Sequence, residues 1–254
     1  MTSQLYAISL ARFRAACAEE IGCDVASFLS NDLTVVERPS GSPAKYVALV
    51  FTFGTGTVLS VDPHYLELAR SLQFKKHYLA FRPQSVVLPL VRAAQLNGEK
   101  AMAWGPALGF LLNKVPVEPP LPEGLHLEQL SVTDRQRWYA SGAFSNALGE
   151  PADSRDSERW LRALALMTAD GEPAAMSGAY RDRGEHQEIG IDVSRRFRGR
   201  GLASTMVSLL IRDILDQGSH PTYYCAASNI RSHRTALACG LIPTFSVETV
   251  ESAG

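Results

Sequence analysis

The chain has 254 residues, enough for one large domain or two small ones, with 46% hydrophobic and 20% charged residues and a formal net charge of −1. That balance argues against a globally basic nucleic-acid binder and gives no reason to expect an anionic membrane as partner. Cys17, Cys23, Cys225 and Cys239 lack metal-ligand spacing, so no metal site is expected, and the opening residues show no basic region or cleavage site of a secretory signal. No apolar run has the length of a bilayer span, and a soluble cytoplasmic protein is the expectation.

Residues 5–29 are rich in Ala, Leu, Phe, Arg and Glu and read as a helix. Residues 33–37 and 46–52 read as strands, separated by the turn Pro39-Ser40-Gly41-Ser42-Pro43. Gly54 and Gly56 lead into a strand at 57–61. Without the fuller dinucleotide pattern they are expected to mark a turn or bulge rather than a phosphate loop. Asp62-Pro63 is a helix start, with a capping side chain ahead of a proline at the first helical position, and 64–72 is the helix. Residues 74–114 are expected to hold a helix, a strand pair around Asn97-Gly98, or both.

Residues 115–124 carry four prolines and a glycine, a density that neither a helix nor a central strand accommodates. The expected division is therefore a first domain at 1–116 and a second at 123–254.

The second half opens with a strand at 125–130, and Ser131 starts a helix that runs to about residue 143. Residues 145–156 read as a polar loop and 157–163 as a short helix. A strand at 164–168, the hairpin signal Asp170-Gly171 and a return strand at 174–180 come next. The next strand is 188–193. Leu202, Met206, Leu210 and Ile214 recur at spacings of four and make 202–217 a strong helix, stopped at Gly218. Then come a strand at 222–227, a helix at 230–239 stopped by Gly240, and a last strand region at 241–250. An antiparallel meander leading into alternation specifies a mixed α/β (α+β) sheet flanked by helices, beside a smaller α/β N-terminal domain.

The most informative stretch is the strand 188–193 together with the basic turn after it. Arg195, Arg196, Arg198 and Arg200 punctuate that turn with Gly199 and Gly201, and the turn enters a helix at Leu202. Glycines let the backbone approach a phosphate, and the helix start offers unpaired N–H groups. Alone, the arginines would be a solvated basic turn.

Arg196-Phe197-Arg198-Gly199-Arg200-Gly201 resembles the (Gln/Arg)-x-x-Gly-x-(Gly/Ala) signature of the GNAT superfamily of acyl-CoA N-acyltransferases. Glu188-Ile189-Gly190-Ile191-Asp192-Val193 is similar to that family's fourth strand. Asn229, Ser232, Ala236, Gly240 and Leu241 match its downstream Asn-x-x-Ser…Ala…Gly-Phe helix. The resemblance covers about 125–250. The first half resembles, less specifically, the N-terminal extension of some larger bacterial members.

The resemblance implies a mostly antiparallel sheet in which the fourth strand splays from the next, 222–227, and takes up acetyl-CoA as co-substrate. Backbone N–H groups of Gly199, Arg200, Gly201, Leu202, Ala203 and Ser204 would bind the pyrophosphate, with Arg196, Arg198 and Arg200 adding charge. Ile191 and Val193 would pair with the pantetheine amides, and Asn229 and Ser232 would line the arm or cap the last helix. An amine acceptor, free or on a peptide, would attack the thioester directly, with the Val193 N–H polarising the carbonyl and Glu188 as base. Strand alternation puts Glu188, Gly190 and Asp192 on one face, so Asp192 is a lesser candidate for that role and Glu188 itself has a structural reading. Ala236 stands where many members carry a tyrosine acid, and a thiol leaves readily without one. Residues 144–155 are expected to shape the acceptor site, and the N-terminal domain to close over it or to mediate dimerisation. A non-catalytic acyl-CoA sensor is the alternative expectation.

Overall fold

The computed structural model describes residues 4–41, 46–54, 56–72, 84–149 and 159–253. The chain forms two compact units that are interleaved in sequence. One comprises residues 1–10, 110–224 and 229–242, the other residues 11–109, 225–228 and 243–254. They are not coextensive with a division at the proline run. Breaks fall inside α1 (Gln4–Ile21), β4 (Lys100–Leu112), β9 (His220–Ala226) and β10 (Leu241–Ala253). Both units are mixed α/β with mostly antiparallel pairing, as expected.

In the unit that holds residues 11–109, β1 (Leu33–Glu37) lies parallel to β3 (Gly56–Val61). β3 forms a hairpin with β2 (Tyr46–Phe53), and β2 pairs with the later part of β10. The last pair of this hairpin is Phe53 with Gly56, and Thr55 lies outside the described residues. A Cβ on Gly56 would lie 2.3 Å from the Phe28 backbone, so this glycine serves close packing. Asp62 caps the next turn by accepting from the His64 N–H at 2.9 Å, and α2 (Leu66–Ser71) continues it. α3 (Gln84–Leu96) ends at Asn97-Gly98, where Gly98 has φ +85° and the Glu99 N–H reaches back to the Ala94 carbonyl. Asn97-Gly98 thus closes a helix instead of joining two strands.

In the other unit, β5 (Leu125–Leu130), β6 (Trp160–Thr168), β7 (Pro173–Arg181) and β8 (His186–Val193) form an antiparallel meander. β9 (His220–Ala226) pairs parallel with β8. α4 (Val132–Tyr139) starts with a capping box between Ser131 and Asp134. α5 (Ser145–Leu148) is a single turn inside the stretch expected to be loop. α6 (Leu202–Asp216) buries Leu202, Met206, Leu210 and Ile214, the face its spacing predicts. α7 (Ile230–Ala238) comes after β9.

Residues 160–163 belong to β6, not to a helix. Their pairing with Tyr180, Ala179 and Gly178 overrides the local preference of Trp160, Leu161, Arg162 and Ala163. No helix among the described residues is long and apolar enough to cross a membrane.

Candidate functional site

The site is built where β8 leaves β9. The two strands pair only at His186 with His220, Gln187 with Pro221 and Glu188 with Thr222. Beyond that, β8 runs on to Val193 and β9 to Ala226 without further pairing between the two. The splay expected of this pair is present.

The donors along the open edge can be placed from the ladder. Val193 stands opposite Ala175, and the next residue, Ser194, donates its N–H to the Ala174 carbonyl at 2.9 Å. Antiparallel bonding alternates, so the N–H of Val193 turns away from β7 toward the side where β9 has departed. Ile191, opposite Ser177, repeats that orientation two residues earlier. The Val193 carbonyl accepts from Arg198 Nε at 3.3 Å, which ties the end of the strand to the basic turn.

In the turn, Phe197 is buried and anchors the segment, with the Arg196 and Arg200 guanidinium groups 4.6 and 5.4 Å from its ring centroid. Arg196 also pairs with Glu172 at 2.6 Å, so part of its charge is spent on the protein. Gly199 and Gly201 have φ of +80° and +77°, the left-handed region that only glycine adopts without strain. Gly201 enters α6 with no side chain capping the helix start. The first N–H groups of α6, from Leu202 to Ser204, therefore have no side-chain acceptor, and the helix dipole adds to their pull on an anion. A diphosphate fits this cradle: its donors are backbone groups, and beyond the adjoining residues no atom lies within 4 Å of where a Cβ on Gly199 or Gly201 would stand.

Asn229 caps α7, its side-chain oxygen accepting from the Ser232 N–H at 3.2 Å. Ser232 Oγ lies 2.6 Å from the Tyr223 hydroxyl. The Cys239 thiol donates to the Ser204 carbonyl at 3.4 Å, joining the end of α7 to the start of α6. Ala236 is fully buried.

Glu188 lies five residues before Val193, roughly 16 Å along an extended strand, and its side chain points to the other face from Val193. Its Oε2 accepts from Arg159 Nη2 at 2.8 Å. Burial and the nearby Asp182 carboxylate hold the Glu188 carboxyl above its ordinary range, and Arg159 offsets part of this. Asp182 itself accepts from Thr222 Oγ1 at 2.6 Å and Tyr224 Oη at 3.0 Å.

Asp192, the lesser candidate for the base, is committed elsewhere. Its carboxylate accepts from the Asn146 N–H at 2.8 Å, the Ala147 N–H at 3.1 Å and Asn146 Nδ2 at 2.7 Å. It seats α5 on the sheet. At the other end of α5, Arg135 donates from Nε and Nη2 to the Leu148 carbonyl at 3.1 and 2.9 Å. The start of the expected acceptor segment, 144–149, is thus clamped at both ends, and residues 150–155 lie outside the described residues. Arg159, Asp182 and Asn146 escaped sequence reasoning. Only the register of the β6–β7–β8 meander brings Arg159 to Glu188, since Trp160 pairs with Tyr180 and Tyr180 with Glu188.

Comparison with known families decides what this arrangement belongs to. Residues 127–241 match the model of the acetyltransferase (GNAT) family. This segment is a GNAT acetyltransferase domain. It contains β8, the glycine turn, α6, β9 and α7. Among solved structures, a GCN5-related N-acetyltransferase from Kribbella flavida aligns with 96% of this chain and 95% of its own, at 12% identity and a TM-score of 0.50. One from Sphaerobacter thermophilus aligns with 96% and 91%, at 15% identity and a TM-score of 0.50. A GNAT acetyltransferase from Novosphingobium aromaticivorans aligns with 61% and 68%, at 21% identity and a TM-score of 0.47. For the Kribbella and Sphaerobacter proteins, at these identities, the likeness is one of fold. No curated protein is significantly similar to the chain.

Proposed function

We propose that this protein transfers an acetyl group from acetyl-CoA to a primary amine, free or on a peptide, by direct attack within a ternary complex. The observation that carries the reading is the parting of β8 from β9 after Glu188 and Thr222, directly ahead of an uncapped, glycine-entered helix start. In this reading the N–H groups of residues 199–204 hold the pyrophosphate, and Ile191 and Val193 offer strand donors to the pantetheine arm. The Val193 N–H polarises the reacting carbonyl. Glu188 takes a proton from the acceptor ammonium, freeing the amine to attack, and because it stands well back along the strand the proton reaches it through water. With Ala236 in place of a tyrosine, the thiolate leaves without a dedicated acid.

The buried Ala236 also motivates a second reading, a protein that binds acyl-CoA and transfers nothing. Release of free thiol from acetyl-CoA, monitored across a panel of primary amines, separates the two. Transfer predicts amine-dependent release that falls by about 10²-fold or more in Glu188→Gln. Release with no amine in a broad panel, while acetyl-CoA still binds, overturns the transferase reading.

A further inference from the structure

Arg159, immediately before β6, fixes two donors of one rigid guanidinium on two chain segments. Its Nε donates to the Arg181 carbonyl at 2.9 Å, at the end of β7, and its Nη2 to Glu188 Oε2 at 2.8 Å, on β8. Among the described residues nothing hydrogen-bonds Glu188 Oε1. The pair is not sealed: 41% of the Arg159 side chain and 32% of the Glu188 side chain remain accessible. Planar two-point anchoring of this kind orients a carboxylate in a way a lysine ammonium does not.

Among the described residues, the charged and titratable groups around Glu188 are few. From the turn after β7 come Asp182, whose side chain is 2% exposed, and Arg183, which donates to it at 3.0 Å. Tyr180 stands opposite Glu188 on β7, and Thr222 opposite it on β9. Tyr224 shares Asp182 with Thr222. His186 and His220, two cross-strand pairs earlier, are buried, and His186 is held neutral near pH 7 by burial. Asp182 disfavours a charge on Glu188, and Arg159 is the cation in direct contact with it.

We propose that Arg159 is the positioning residue for Glu188. It ties Oε2 to the end of β7, keeps the carboxylate ionised beside Asp182, and leaves Oε1 to receive the proton of the acceptor ammonium. This role rests on Glu188 being the base, and it adds a residue outside the family motif to the machinery. Removing the cation leaves only Arg183, itself paired with Asp182, to offset burial and the Asp182 charge, so the ionised carboxylate is populated only at higher pH.

The test uses the full chain carrying Arg159→Gln or Arg159→Lys, with thermal unfolding and acetyl-CoA affinity measured first to show that the fold and the cofactor site are intact. The Glu188 carboxyl is titrated by carbon-13 NMR on glutamate-labelled protein without acceptor, assigned through Glu188→Gln. The pH profile of thiol release from acetyl-CoA is recorded with the most active primary amine of the panel. Arg159→Gln moves both the carboxyl titration and the acidic limb of the rate to higher pH, so that the loss of rate is tenfold or more on the acid side and shrinks as pH rises. Arg159→Lys restores part of both. An unshifted carboxyl titration, or a rate lowered equally at every pH, overturns the positioning role while leaving Glu188 as base. A shifted titration together with full activity in Glu188→Gln overturns the base reading and the positioning role with it, leaving only a structural ion pair.

Discussion

The carboxylate of Asp192 accepts the backbone N–H of Asn146 at 2.8 Å, across 46 residues of sequence, and thereby fastens the one-turn helix α5 to β8. With the neighbouring Ala147 N–H and the Asn146 amide it makes three charge-assisted bonds. Hydrogen bonds to a charged group are worth about 1.5–3 kcal/mol when buried, and this site is partly open, so Asp192→Ala is expected to cost about 1–3 kcal/mol in all. Thermal unfolding measures the total, and amide exchange at Asn146 and Ala147 localises it. If Asp192 were instead the base, Asp192→Asn would lose activity with every amine while those two amides stayed protected.

The same seat depends on two glycines. Gly178 and Gly190 face each other on β7 and β8. A Cβ on Gly178 would lie 1.8 Å from the Ala147 carbonyl oxygen, and one on Gly190 only 1.6 Å from that of Asn146. The α5 backbone therefore rests directly on the sheet. Gly190→Ala must displace it, at a cost of roughly 1–3 kcal/mol. The amine KM is expected to rise several-fold, with acetyl-CoA affinity nearly unchanged in calorimetry.

What could be read in the sequence was what is local. α6 was legible because Leu202, Met206, Leu210 and Ile214 mark one helical face and Gly201 marks its entry. The cap at Asn229 was legible for the same reason, since donor and acceptor are three residues apart. The partners of Asp192 and Glu188 were not. Asn146 and Arg159 reach them only through the register of three strands, which no spacing reveals. Residues 160–163 read as helix because their composition suits one, and only pairing with β7 makes them a strand. The interleaving of the two units stayed hidden likewise: the proline run at 115–124 is a real break in composition, but strands on either side of it pair without regard to it.

Glu248 supplies a pH dependence. It is 5% exposed and has no side-chain hydrogen bond among the described residues, and burial pushes its carboxyl up to about 7. The folded protein therefore holds this proton more tightly than the unfolded chain. The stability it contributes is fully present below about pH 4.5 and is lost as pH rises through about 7. Between those limits the loss is roughly 1–3 kcal/mol, and Glu248→Gln is expected to remove it, making the variant the more stable protein at pH 8 in urea unfolding.

His186 acts in the opposite direction. Burial, with His220 beside it, lowers its imidazole from 6.5 to about 4, and Ser9 Oγ lies 3.0 Å from its Nε2. A neutral buried ring contributes stability that is present above about pH 6.5 and lost as pH falls toward 4. His186→Gln is expected to flatten the acid side of the stability profile over that interval, leaving the alkaline side to Glu248.

Everything proposed for catalysis depends on the glycine turn and the start of α6 holding acetyl-CoA. Calorimetric titration of acetyl-CoA into the wild type and into Gly199→Glu decides the point. A Cβ at Gly199 meets nothing within 4 Å, so the substitution keeps the fold, costs about 1–2 kcal/mol for its left-handed backbone and places a negative charge where the pyrophosphate must sit. The expected result is one molecule of acetyl-CoA bound per chain of the wild type, and affinity lowered by at least a hundredfold in the folded variant. Equal affinity in the two proteins, or no binding to the wild type, would contradict it.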